Sequence, residues 1–151
     1  IPEPAFEAML EGAALSLCHH GLRDVVLLGD HGGYQKSLQR VAARVRRDGC
    51  RVHAPPEYYR ASQEGYAKLL GERGYESAER GEHAGLADTS LALAIDPALV
   101  RPEWLGRRST PAERPGVTGD PRRASAELGR LGVAHIVDAT VAAIRERTGA
   151  R

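Results

Sequence analysis

Four consecutive apolar residues, Val25-Val26-Leu27-Leu28, run straight into Gly29-Asp30-His31-Gly32-Gly33, and this junction constrains the chain more than any other feature. An unbroken apolar run between turn signals marks a strand covered on both faces, which belongs to a parallel sheet packed under helices. A parallel neighbour needs a crossover, and the sequence supplies one. Leu38, Val41, Ala42 and Val45 recur at helical spacing, Arg44, Arg46 and Arg47 suit the negative end of that helix, and Gly49 ends it. Arg51-Val52-His53-Ala54 reads as the second strand, and Pro55-Pro56 breaks the chain after it. Residues 24 to 54 are thus predicted to form a βαβ unit.

Before this unit, Phe6, Met9, Leu10, Ala13, Ala14 and Leu17 share one helical face, with Glu7 and Glu11 off it. Pro4 suits the start of that helix and Gly21 the residue past its end. After the unit, residues 57–72 carry weak helical periodicity. Asp88-Thr89-Ser90 opens the apolar run Leu91 to Ile95, read as a short helix that Asp96-Pro97 ends. Residues 101–120 read as a surface loop. Asp120-Pro121 reads as the start of a long C-terminal helix through Leu128, Leu131, Val137, Val141 and Ile144.

Composition narrows the function classes. The chain has 151 residues, one domain (1–151) by size, with Lys and Arg totalling 21 against 20 Asp and Glu, a formal charge of +1. That balance and an aromatic content of 5% argue against a nucleic-acid reader, which concentrates basic charge and stacking rings. No apolar run approaches the ~18 residues of a membrane span, and no signal peptide is visible, so the default location is cytoplasmic. Two cysteines, Cys18 and Cys50, are too few for a disulfide framework and are expected to be buried free thiols.

Two stretches could carry chemistry. Asp30-His31-Gly32-Gly33 follows a strand end, where open α/β sheets bind ligands, and its glycines admit close approach to the backbone. Its spacing fits neither a dinucleotide nor a phosphate-loop fingerprint, and a tight turn with a hydrogen-bonded His competes with the functional reading. The second stretch, Glu82-His83-Ala84-Gly85-Leu86-Ala87-Asp88-Thr89-Ser90, offers imidazole, carboxylates and hydroxyls, the donors that suit zinc, manganese or iron. Helix capping by Asp88 and a solvated His83 is the simpler reading of it. His19-His20 fits dipole stabilisation at a helix end, His53 and His135 read as structural, and Arg107-Arg108 and Arg122-Arg123 as solvated charge. Trp104 is either a lid over a pocket or a packing anchor.

Leu27 to Gly33, His83-Ala84-Gly85 with Asp88-Thr89-Ser90, Asp96 to Val100 and Gly119 to Gly129, in that order, resemble the creatininase family of metal-dependent amidohydrolases. The resemblance implies a three-layer α/β/α sandwich with a mostly parallel sheet. It implies hydrolysis of a non-peptide C–N bond in a small cyclic amide or formamide, and a homo-oligomer, up to a hexamer. It places His31, Asp88 and Asp30 as metal ligands. Gly32, Gly33, Tyr34 and Trp104 would face the substrate, and His83, with Glu82 second, would act as proton donor. The implied ion is zinc, or else manganese or iron. Such an ion lowers the pKa of bound water towards ~7 and polarises the scissile carbonyl, while the acid protonates the leaving nitrogen. Asp30, Tyr34, Leu86 and Asp88 depart from the family's usual residues. The family's Glu-x-His-Gly-x-His segment does not occur, so the resemblance is to the C-terminal part of the family fold. A non-catalytic member serving as an assembly or binding module is the alternative.

Overall fold

A computed structural model describes residues 1–105 and 116–150. The chain divides into two compact units, residues 1–60 with 138–151, and residues 61–137.

The first unit is the βαβ motif with a helix added in front. Helix α1 spans Glu3–His19, strand β1 Asp24–Val26, helix α2 Gln35–Arg44 and strand β2 Arg51–His53. The strands pair in parallel, Asp24 with Arg51, Val25 with Val52 and Val26 with His53. Ala14, Cys18, Val25, Val41 and Val45 form the core, with Leu10, Leu15, Leu27, Cys50 and Val52 packed on it. A short helix α3, Glu57–Arg60, follows the proline break, and Arg147 reaches Glu57 at 2.9 Å.

Helix α1 buries only part of the face that apolar spacing predicts, Ala14 with Leu10 packed beside it. Its buried residues are Glu7, Ala14 and Cys18, while Met9 is 58% exposed and Leu17 42%. The reason is an ion-pair ladder across the α1–α2 contact. Glu3, Glu7 and Glu11 lie four residues apart on one stripe, and Arg40 and Arg44 lie one turn apart on the other. Arg44 meets Glu7 at 3.0 Å and Glu11 at 2.8 Å, and Arg40 meets Glu7 at 2.6 Å and Glu3 at 2.5 Å. Ser37, fully buried, donates to Glu3 at 2.8 Å. Hydrogen bonds from Arg44 and then Arg40 hold the Glu7 carboxyl below its ordinary value.

Cys18 and Cys50 are not free thiols. They form a disulfide that closes a separation of 32 residues, with their Cα atoms 5.6 Å apart. The expectation of buried thiols fails because β2 begins beside the last turn of α1, and both cysteines enter one core.

In the second unit, a π-helical turn at Ala61–Gly65 leads into α4 (Tyr66–Gly71). Then come α5 (Ser77–Arg80), α6 (Leu86–Ile95) and α7 (Pro102–Leu105), the last in a stretch read from sequence as loop. Asp96 ends α6 and accepts a bond from the Ala98 amide at 2.9 Å. Asp120 likewise accepts from the Arg122 amide ahead of α8, which spans Ala126–Thr148. Tyr66, Leu70, Leu86 and Leu128 form this unit's core. A β-carbon on Gly129 would lie 1.8 Å from the Ser90 carbonyl oxygen, so α8 approaches α6 at a distance only glycine allows. The architecture is therefore helix-rich α/β with a small parallel sheet among the described residues. Among them, no helix is long and apolar enough to cross a membrane.

Two variants check this packing. Gly129→Ala should destabilise the protein by about 1–3 kcal/mol in denaturant melts. Glu7→Gln should lower the thermal midpoint by several degrees near pH 7. Because the folded carboxyl is held below its unfolded value, its contribution is present above the ordinary carboxylate range and lost as pH falls through the folded value. The two proteins should therefore converge only as the pH falls below the ordinary carboxylate range, through the lowered value of the folded Glu7 carboxyl.

Candidate functional site

The loop after β1 is held by its own side chains. His31 Nδ1 accepts the Gly33 amide at 2.9 Å and caps the short 3₁₀ turn Gly32–Tyr34. Gln35 reaches back, its Nε2 donating to the carbonyls of Gly29 at 2.7 Å and His31 at 3.0 Å. The Asp30 amide donates to the Tyr34 hydroxyl at 3.1 Å. The Tyr34 ring lies between His31 and Phe6, with both ring centroids at 5.4 Å.

Two tyrosines from beyond β2 complete this loop. The Tyr58 hydroxyl hydrogen-bonds Asp30, and burial together with that carboxylate charge pushes the phenol pKa up. A β-carbon on Gly32 would lie 2.7 Å from the Tyr59 hydroxyl, and one on Gly33 3.0 Å from the His31 ring. The room the two glycines leave is thus occupied by the protein's own side chains. Neither Tyr58, Tyr59 nor Gln35 was singled out from sequence. The signal was present: in a parallel pair, the loops after both strands emerge on the same side. His53, read as structural, donates from Nε2 to the Asp24 carboxylate at 2.7 Å. That bond, supported by Arg51, holds the Asp24 carboxyl below its usual value.

In the second unit, the 82–90 stretch is a turn joined to residue 118. The amides of Glu82 and His83 donate to the Thr118 carbonyl at 3.0 and 3.4 Å, and Thr118 returns a bond to the His83 carbonyl at 2.7 Å. Gly81, at φ 67°, faces the Thr118 carbonyl so closely that a β-carbon would lie 1.7 Å from it. Ala84 takes φ 50°, left-handed space that a side chain disfavours. Asp88 stabilises it, its Oδ2 accepting the Ala84 amide at 2.9 Å. Thr89 Oγ1 donates to the Ala84 carbonyl at 3.3 Å. Asp88 therefore does not cap α6 as the sequence's simpler reading has it: the cap position is Gly85, and Asp88, in the first turn, braces the residue before it. Ser90 is fully buried, and its hydroxyl accepts the Ser125 amide at 3.2 Å. Tyr66 donates to the Leu128 carbonyl at 3.1 Å, and burial pushes its phenol up to about 12.

The remaining candidates fall as follows. His83 and Glu82 are exposed. Arg122 pairs with Asp120, and Arg123 pairs with Glu79 at 3.1 Å and covers the Tyr75 ring at 4.3 Å. That pair is therefore held by local partners rather than simply solvated. His135 packs against Gly65, as a structural histidine should. The Trp104 side chain and Arg107-Arg108 lie outside the described residues.

A family model for creatininase, described as creatinine amidohydrolase, matches residues 1–144. The chain belongs to that family. Neither a curated protein nor a solved structure matches it.

The divalent metal that the family implies can be tested against these side chains. A zinc site takes about three or four protein ligands, each with a lone pair to give. Among the described residues, no group of three or more His, Cys, Asp or Glu could hold a metal ion. In the first unit, His31 Nδ1 already accepts a backbone N–H, so the neutral ring carries its proton on Nε2 and has no free lone pair on either nitrogen. In the second, Asp88 is committed to the Ala84 amide through one oxygen. As arranged here, the residues of neither unit fit a closed metal site.

The tautomer is directly measurable. Nitrogen-15 shifts of the neutral His31 ring should report the proton on Nε2, and a proton on Nδ1 would contradict the bond to Gly33.

Proposed function

We propose that this chain is a hydrolase of creatininase type, acting on a non-peptide C–N bond in a small cyclic amide or formamide. The observation that carries the reading is the family match over residues 1–144, which takes in the loop at the carboxyl end of β1. Ligands of open α/β sheets bind at that end, and residues 29–35 form the substrate-facing element of this reading. His31 offers Nε2–H to a carbonyl oxygen, where a positioned donor stabilises developing negative charge. The Tyr34 ring, braced by Phe6, supplies a wall for a planar substrate. His83, or secondarily Glu82, is the proposed proton donor to a leaving nitrogen, since both are exposed and carried on a held turn.

The divalent ion, zinc first and manganese or iron next, rests in this proposal on the family alone: His31 and Asp30, the implied ligands in the first unit, could take it only if His31 released the Gly33 amide, and Asp88, implied likewise, is held by the Ala84 amide in the second unit. A bound ion would supply an activated water. A three-layer sandwich in which residues 1–151 form one domain, a homo-oligomer up to a hexamer, and a cytoplasmic location belong to the same proposal.

One observation favours a second reading, a non-catalytic family member serving as a binding or assembly module. His31 and Asp88, the two strongest ligand candidates, are both engaged as braces for their own loops.

Turnover separates the two. With zinc, manganese or ferrous iron added, the 151-residue protein should open the ring of creatinine or another cyclic amide, or release formate and amine from a formamide, and chelation should stop it. His83→Ala should then lower kcat about 10²-fold while the protein stays folded. No turnover across the metals and substrates would favour the non-catalytic module.

A further inference from the structure

The disulfide also borders open clefts of the first unit. Cys18 is buried at 7% exposure, but Cys50 is half-buried and lines two clefts of the first unit. In one, of about 540 Å³, Arg46, Arg47 and Arg51 surround it, with Asp48 alone among the lining residues carrying negative charge. In the other, of about 520 Å³, its charged neighbours are Arg23, Arg51 and Asp24. Arg51 is matched by Asp24 at 2.9 Å. Among the described residues, Arg46 and Arg47 are not matched in this way. Arg46 donates to the Val45 carbonyl at 3.1 Å, and Arg47 lies 3.4 Å from His19 Nδ1. Their charge is left to attract an anion beside the less buried cysteine of the bond.

We propose that the Cys18–Cys50 bond is a thiol–disulfide exchange site, attacked at Cys50 by a small thiol that carries a carboxylate. Arg46 and Arg47 draw the carboxylate into the larger cleft, as fixed positive charge concentrates anions in a cleft. The incoming thiolate gives its electron pair to Cys50 Sγ. The Cys50–Cys18 bond breaks, and its electron pair leaves on Cys18 Sγ, which takes a proton from water. The product is a mixed disulfide on Cys50 and a free thiol at Cys18. A second thiolate of the same class attacks the outer sulfur of the mixed disulfide. The small molecule leaves as its oxidised dimer, and Cys50 is released as a thiolate, the form that neighbouring guanidinium groups favour. Two small thiols thus deliver two electrons to the protein. The closure over 32 residues, from the last turn of α1 to the entry of β2, is released with them. Reduction is therefore expected to loosen the first unit.

The test uses the 151-residue protein purified without reductant. It is incubated at matched thiolate concentration with mercaptopropionate, mercaptoethanol or cysteamine, which are anionic, neutral and cationic, then acid-quenched and mapped by mass spectrometry. The starting protein should contain the disulfide, and the adduct should appear on Cys50. Mercaptopropionate should react about tenfold faster than cysteamine at low ionic strength, and added salt should shrink that gap. The gap should vanish in the Arg46→Gln/Arg47→Gln variant and survive in Arg46→Lys/Arg47→Lys. Both positions are exposed, so neither variant disturbs the core. Free thiols in the starting protein, adduct on Cys18, rates indifferent to thiol charge, or a salt-insensitive gap would each overturn the proposal. Should the Gln variant misfold, the salt dependence and the Lys variant still decide it.

Discussion

The parallel pairing of Asp24–Val26 with Arg51–His53 is the constraint on which the first unit rests. Parallel strands cannot be joined by a hairpin, so the chain must cross over through α2. The crossover sets α2 against α1, where Arg40 and Arg44 meet the three glutamates. It also brings the start of β2 to the end of α1, where Cys50 meets Cys18. At the other end of the pair, the loops after the two strands emerge together. That is why Tyr58 reaches Asp30 and the Tyr59 hydroxyl comes up against Gly32. The ladder, the disulfide and the candidate loop all follow from one choice of strand direction.

The βαβ unit was legible because the run Val25 to Leu28, the α2 stripe and the Pro55-Pro56 break all point the same way. The inner face of α1 was not, because apolar spacing gives no weight to a carboxylate that finds two guanidinium partners. Glu7 is buried where Met9 was expected, although the four-residue spacing of glutamates on α1 and arginines on α2 is itself visible in the sequence. The disulfide was missed because two cysteines were judged by number, whereas the topology decides whether they meet. The glycines at 32, 33 and 81 were legible as necessary, but the reason lies in contacts that no local pattern encodes.

Much of the candidate site was visible as residue types and little of it as roles. The turn reading of Asp30-His31-Gly32-Gly33 describes a bond that the structure contains, whereas Asp88 braces the Ala84 turn instead of capping α6. Those bonds make the loops well held, which is what precise substrate positioning needs. They also occupy the atoms a metal would require. Family membership and local geometry therefore pull apart on the metal.

The loop at the carboxyl end of β1 is where the account is most exposed to test. Amide proton–nitrogen spectra of the labelled protein, recorded during titration with a small cyclic amide, report contact residue by residue and need neither turnover nor metal. The account predicts saturable shifts centred on Gly32, Gly33 and Tyr34, together with the His31 ring. Shifts confined to other surfaces, or none at all up to high substrate concentration, would contradict the placement of the substrate at the carboxyl end of β1.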